Sequence, residues 1–394
     1  MHKYLLPLLA ATALATPALA DETTLWRLFV ADHAEARVTA LDLASGEAIA
    51  SFPLAAPAAL YTTHSGEAVV AVQGAANQVS AIRTGISIED HGDHGDIDIT
   101  DPELIDAVLT GDKPAHFVEH GDRFALFFDG SGKVSLANIH DWIDHGTLDA
   151  SEIDSGTAHH GVAIPWGDYV LVSAANADDE KKPRIGLNVL GPDGAALGDV
   201  HACPDLHGEA ESGDLLIVGC GDGVLIVSGS GEPQVRKLDY AGLPEGKATT
   251  FVGGKGLQYF LGNYGADKVV IIDPTETGPY RLVELPTRRV HFVADPIRPR
   301  FAYIFTEDGQ LRQFDVVKGE IVQSVQVTGP YSMDGSFSLP RPRLAVAGDA
   351  IAVTDPLAGK VHLVDAASFE ITRDLAVEGA PFNIVAAGGS GSVH

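Results

Sequence analysis

Histidine recurs in this chain at one place in a repeated phrase, and imidazole is the commonest side-chain ligand for a transition metal. The copies read Ala115-His116-Phe117-Val118, His159-His160-Gly161-Val162, Leu206-His207-Gly208-Glu209 and Val290-His291-Phe292-Val293. Thr250-Phe251-Val252 keeps the frame without the histidine, and Arg343 occupies it in a further copy. If each copy opens the same strand of a repeated unit, His116, His160, His207 and His291 arrive at one common level. A closed zinc site asks for three or four nitrogen or oxygen ligands at ~2.0–2.2 Å, and such a ring could supply them. Strand alternation sends only one of His159 and His160 inward; the frame favours His160, with His159 as substitute or orienting partner. Asp205, two residues before His207 and so on the same face, could ligate or orient an imidazole. Taken singly, a histidine at a strand start is usually a polar cap, but four in matched register make a metal site the better reading. Arg343 at the same level would favour an anion, or hold Asp205 by a bidentate contact.

A second constellation is Glu89-Asp90-His91-Gly92-Asp93-His94-Gly95-Asp96-Ile97-Asp98. Carboxylates and imidazoles at this density cannot form a packed core, so residues 89–101 are expected to be an exposed, mobile loop, with His91, Asp93, His94 and Asp96 as an accessory cation trap. The plain alternative is a solvated acidic loop. The spacing does not fit an EF-hand, and histidine suits zinc better than calcium. His120, His140, Asp141, Asp144 and His145 form a weaker set, expected at turns or on the surface. No nucleophile elbow, P-loop, His-Glu-x-x-His helix or haem-attachment motif is present, so no catalytic signature stands out.

The elements that would position these residues are strands. Short runs rich in Val, Ile, Leu and Phe alternate with Gly, Asp, Asn and Pro, and helical periodicity is nearly absent; only Asp101 to Leu109 reads as a short helix. Units of roughly 45 residues share a four-stranded grammar typical of propeller blades. They begin near Leu60, Ala115, His159, Leu206, Thr249, Val290 and Arg343. An eighth is shared: three strands between Leu28 and Leu54 need a first one, and Phe382 to Ala387 at the far end supplies it. The expected fold is therefore all-β: one propeller over residues 21–394, of eight blades with seven as the alternative. Its ring would close by joining the two ends of the chain in one blade. First strands line the central channel of such a fold, so matched positions form rings about its axis.

Composition narrows the function classes. The chain has 394 residues, with 26 basic and 54 acidic side chains for a net charge of −28. Nucleic acid is not expected as a partner, since phosphate binding needs a basic footprint. Residues 1–20 read as a secretory signal, with Lys3 before an apolar run and Ala18-Leu19-Ala20 as the cleavage site; no later stretch is long enough to span a bilayer. Export to a periplasm is expected, as is a disulfide between the two cysteines, Cys203 and Cys220, acting as a staple.

This combination resembles the AztD family of periplasmic zinc metallochaperones. The resemblance implies Zn²⁺ as the cargo and no enzymatic activity. It also implies handover to the solute-binding protein of a zinc ABC transporter, by a chain expected to be a monomer. It places ligand roles on His116, His160, His207 and His291, and an accessory or transfer role on the histidine- and aspartate-rich segment. Two rivals remain at this stage: a metal-dependent propeller hydrolase or lactonase, and a propeller scaffold that binds protein alone. Imidazole nitrogen by itself does not separate zinc from copper or nickel.

Overall fold

In the computed structural model, which describes residues 22–91, 95–179, 181–254, 257–335 and 339–393, the strands form eight sheets. Residues 1–20, the expected signal, lie outside the described residues. The strands are short and β-branched, and their second and third members are buried on both faces, as in Ala68–Gln73 and Leu215–Gly219. Such strands can be satisfied only between two other sheets, which is why the blades stack around a ring.

Blades three to eight each hold four antiparallel strands in sequence order. Their first strands are Pro114–His120, Ala163–Trp166, Glu209–Ser212, Phe251–Gly254, Arg289–Ala294 and Leu344–Ala347. Blade two begins with Ala59–Thr62. Blade one is the closing blade: Pro381–Ser392 pairs along Glu22–Asp32, which in turn pairs with Arg37–Asp42. First strands touch between blades three and four, and from blade five through blades six, seven, eight and one to blade two, and the eight sheets follow one another in chain order, so blades three, four and five face blades seven, eight and one across the axis.

The core is divided among the blade interfaces. Phe124, Phe117 and Trp142 of blade three pack on Val70 and Val79 of blade two, and Tyr303 and Phe305 of blade seven pack on Ile351 and Val353 of blade eight. Every large apolar side chain buried there removes ~2–3 kcal/mol worth of surface from water.

Two local expectations are corrected. The segment 101–109 is not a helix: Glu103–Leu104 and Leu109–Thr110 pair with Gln78–Arg83 and act as the fourth strand of blade two. The open edge of that strand needed a partner, and Ile105 and Leu109 find burial beside Trp142 that an exposed helix would not give. The α-helix that does occur, Ile139–Ile143, starts where the Asn138 side chain accepts from the His140 and Asp141 amides. The histidine- and aspartate-rich segment is a β-hairpin, Ile86–Asp90 with Gly95–Ile99, attached in parallel to the end of Pro381–Ser392. Among the described residues no helix is long and apolar enough to cross a membrane.

Candidate metal centre

His116 and His160 meet in the channel with their Nε2 atoms 3.1 Å apart. His116 lies on the first strand of blade three, and His160 on the link into blade four. The ring of His207, on the link into blade five, lies tilted beside that of His160 at 5.0 Å between centroids. Short connections explain how each histidine is aimed. Gly161 follows His160 because a Cβ there would meet the Ser173 Oγ at 2.4 Å. Gly208 follows His207 at φ +78, where a Cβ would meet the Thr249 carbonyl at 2.3 Å. The buried Arg184 guanidinium donates to the Ser155, Thr157 and His159 carbonyls and fixes the link that ends in His160.

The proton on each ring follows from its neighbours. An ionised carboxylate only accepts, so His160, whose Nδ1 is 2.7 Å from Asp129 Oδ2, carries its hydrogen on Nδ1. The same holds for His116, with Nδ1 3.4 Å from Glu209 Oε1, and for His207, with Nδ1 3.1 Å from the Thr249 carbonyl. In their neutral forms all three rings are thus left with a lone pair on Nε2. Two such lone pairs at 3.1 Å repel unless a proton or a metal ion lies between them, and in the metal-free chain a His116 held above its ordinary value by Glu209 supplies that proton. Two nitrogens on one tetrahedral zinc stand roughly 3.3 Å apart, so the pair already has the spacing of two ligands.

Charge and burial point the same way. Among the described residues Asp129 Oδ1 and Glu209 Oε2, the second oxygens of the two carboxylates paired with the rings, are buried without a hydrogen-bond donor. Burial pushes the His116 imidazole down, yet the adjacent Glu209 carboxylate, with Asp129 behind it, outweighs burial and leaves it above the ordinary value. Burial pushes Glu209 up, but His116, His160 and His207 together hold it below the usual carboxylate range. His207 is lowered, first by burial and then by the two other imidazoles and Lys247, so it is neutral and able to ligate at neutral pH. Among the described residues no three His, Cys, Asp or Glu side chains are already set around a single point. The pair His116–His160 is, and His207 stands one ring-width away.

A second tier lies further along the same strands. Residues two apart on a regular strand share a face, so Glu211 follows Glu209 on blade five, while on blade three a register shift between Pro114 and Phe117 separates His116 from the regular run that ends in His120. His120 Nδ1 lies 2.6 Å from Glu211 Oε1, and its ring stacks on Trp166. His64 of blade two bridges the cluster: its amide donates to Glu119 at 3.0 Å, and its Nε2 is 3.8 Å from Glu211 Oε2. Glu119 is buried, and burial raises it despite His64, with Glu211 adding to the rise.

Several residues named from the sequence stand elsewhere. His291 is not brought to the other three: its Nδ1 accepts from the Leu344 amide at 3.1 Å, and its charged neighbours are Arg343 and Arg289. Asp205, in the left-handed region at φ 56, turns its carboxylate to Lys247, so Arg343 does not hold it either. His159 directs Nδ1 at the His160 carbonyl. His120 belongs to the second tier and not to the surface. In the hairpin, His91 Nε2 lies 3.2 Å from Asp96 Oδ2 and 4.0 Å from Glu89 Oε2, while Asp93 and His94 lie outside the described residues. Cys203 and Cys220 form a disulfide that closes the segment carrying His207. Sequence reading missed Glu209, Glu211, Glu119, Asp129 and His64. The alternation of Glu209 and Glu211 within one short strand was the available signal.

No protein-family model matches the chain. The zinc chaperone AztD of Citrobacter koseri is 49% identical over 381 residues, which cover 96% of this chain and 90% of that protein. The chain belongs to the AztD family of zinc chaperones. The crystal structure of Citrobacter koseri AztD superposes with a TM-score of 0.92 over 94% of this chain and 100% of that one. Apo AztD from the same organism gives 0.90 at 48% identity, over 94% of this chain and 99% of that one. The eight-bladed propeller is thus the AztD fold.

Proposed function

We propose that this AztD-family chain carries Zn²⁺ in its propeller channel. His116 and His160 supply Nε2 as the first two ligands, and His207 is the third after a small ring shift. Glu209 is the nearest carboxylate to complete the set. Asp129 holds His160 in the ligating tautomer, as a carboxylate behind a metal-bound imidazole does. The observation that carries this reading is the Nε2 pair at 3.1 Å, each ring tied at Nδ1 to its own carboxylate. The cluster of His64, Glu119, His120 and Glu211 continues the path along the channel wall, so an ion can exchange ligands stepwise without being released to water.

The acceptor is the periplasmic solute-binding protein of a zinc ABC transporter, and the hairpin with His91 and Asp96 is an accessory transfer site. Handover is direct, because a tightly held ion leaves slowly by itself and a shared intermediate removes that barrier. The test mixes zinc-loaded chain with metal-free solute-binding protein. Direct handover predicts that the acceptor fills at a rate that rises with its concentration and exceeds the rate at which a chelator strips the donor. An acceptor that fills no faster than the chelator contradicts it.

A further inference from the structure

Across the channel from the imidazoles, the wall has the opposite character. Arg289 opens the first strand of blade seven, and Arg343 immediately precedes that of blade eight. Most other guanidinium groups among the described residues are spent on carboxylates or on carbonyls at ordinary distance, as with Arg312, Arg281 and Arg184. These two are not. Arg343 has one long contact, 3.4 Å to the Pro342 carbonyl, and lies over the Phe382 ring at 4.8 Å. Arg289 has one at 3.5 Å to the Gly265 carbonyl, and lies over the Phe292 ring at 5.5 Å. Among the described residues neither has a carboxylate within ion-pair distance, in a chain with 54 acidic side chains against 26 basic ones. Each keeps most of its five N–H donors unspent.

His291 joins them with the reverse tautomer of the zinc-side histidines. Its Nδ1 accepts the Leu344 amide, so its hydrogen lies on Nε2 and it offers a donor where His116 and His160 offer lone pairs. Arg289 and Arg343 are both close enough to hold His291 unprotonated, after burial, which pushes it down most. Burial likewise brings each arginine down to about 10, with no acid to offset it. Aromatic faces behind both guanidiniums keep water off their backs and leave their edges for a ligand.

We infer that Arg289, Arg343 and the Nε2–H of His291 form a binding site for a small oxyanion, carboxylate or phosphate, on the channel wall opposite the zinc ligands. Two planar forks and one imidazole donor match an oxyanion with several acceptor oxygens. The same geometry explains why His291 shares the repeat register of the metal-side histidines without joining them.

The experiment uses the metal-free full chain, titrated with inorganic phosphate and separately with succinate, each at constant ionic strength set by sodium chloride. Saturable binding of one or both by calorimetry is expected, and which of them binds identifies the oxyanion. R343Q and R289Q should each weaken it about tenfold or more, as loss of a charge-assisted contact does, while zinc affinity stays unchanged. If R343Q does not fold, R343K takes its place, since it keeps the charge and loses the fork. No saturable binding of either anion overturns the inference, as does wild-type anion affinity in the folded arginine variants.

Discussion

The same side chain does two different things in this channel because its Nδ1 partner differs. His116, His160 and His207 face acceptors and keep Nε2 free for a metal, while His291 faces an amide donor and does not. Residue type and register were legible in the sequence: of the four histidines named from it, two are in contact and the ring of a third lies beside them. The tautomer was not, because it is set by Asp129, Glu209, Thr249 and Leu344, which reach the rings from other strands. Asp129 sits in a turn that reads as Asp-Gly-Ser-Gly and carries no sign of its partner. Replacing it should show its role: Asp129→Asn keeps an amide oxygen that can accept from the ring but removes the carboxylate charge behind it, and zinc affinity in a competition titration should fall about tenfold to a hundredfold. His116→Ala, which removes a ligand, should cost more than Asp129→Asn. Protons compete with zinc for Nε2, and His116 is held above its ordinary value by Glu209 in the metal-free chain. Affinity should therefore weaken as pH falls, starting above the usual imidazole range of about 6.5, with proton release on binding measurable by calorimetry in buffers of different ionisation enthalpy. Affinity that is flat from neutral to mildly acidic pH would rule out histidine ligation.

Links between strands, more than the strands, aim these ligands. His160 is placed by a segment whose carbonyls converge on Arg184, and His207 by one closed by the Cys203–Cys220 disulfide across 17 residues. Arg184→Met should destabilise the fold by about 2–3 kcal/mol, since three carbonyls lose a charged donor, and should weaken zinc binding although Arg184 touches no metal. Replacing both cysteines by serine should cost about 3 kcal/mol in denaturant unfolding by the loop-entropy relation and loosen His207. A variant with wild-type stability and affinity would show that the staple does not position the ligand. The cysteine pairing was readable because only two are present. The fate of residues 101–109 was not, because helical spacing of Leu104, Ile105 and Val108 is equally served by two short strand pairs once blade two offers an open edge.

At the scale of the whole ring, repetition turns sequence register into convergence, and the blade count followed from the repeat itself. Blades three to five gather imidazole and carboxylate; blades seven and eight gather arginine. Ring closure joins Pro381–Ser392 to Glu22–Asp32, and the extension of that last strand carries the hairpin of His91 and Asp96. Sequence composition marked this segment as a cation trap but not as a hairpin, and its attachment depends on a strand end some three hundred residues away in the chain. Deleting residues 89–98 should leave tight channel binding intact and slow delivery to the solute-binding protein; loss of the tight site instead would place it in the hairpin. The most direct measurement of the central claim is anomalous diffraction at the zinc edge from crystals of the zinc-loaded chain. The account predicts a peak in the channel within ~2.0–2.1 Å of Nε2 of both His116 and His160, with His207 turned toward it. Zinc density found only away from that pair, with its two nitrogens still in direct contact, would contradict it.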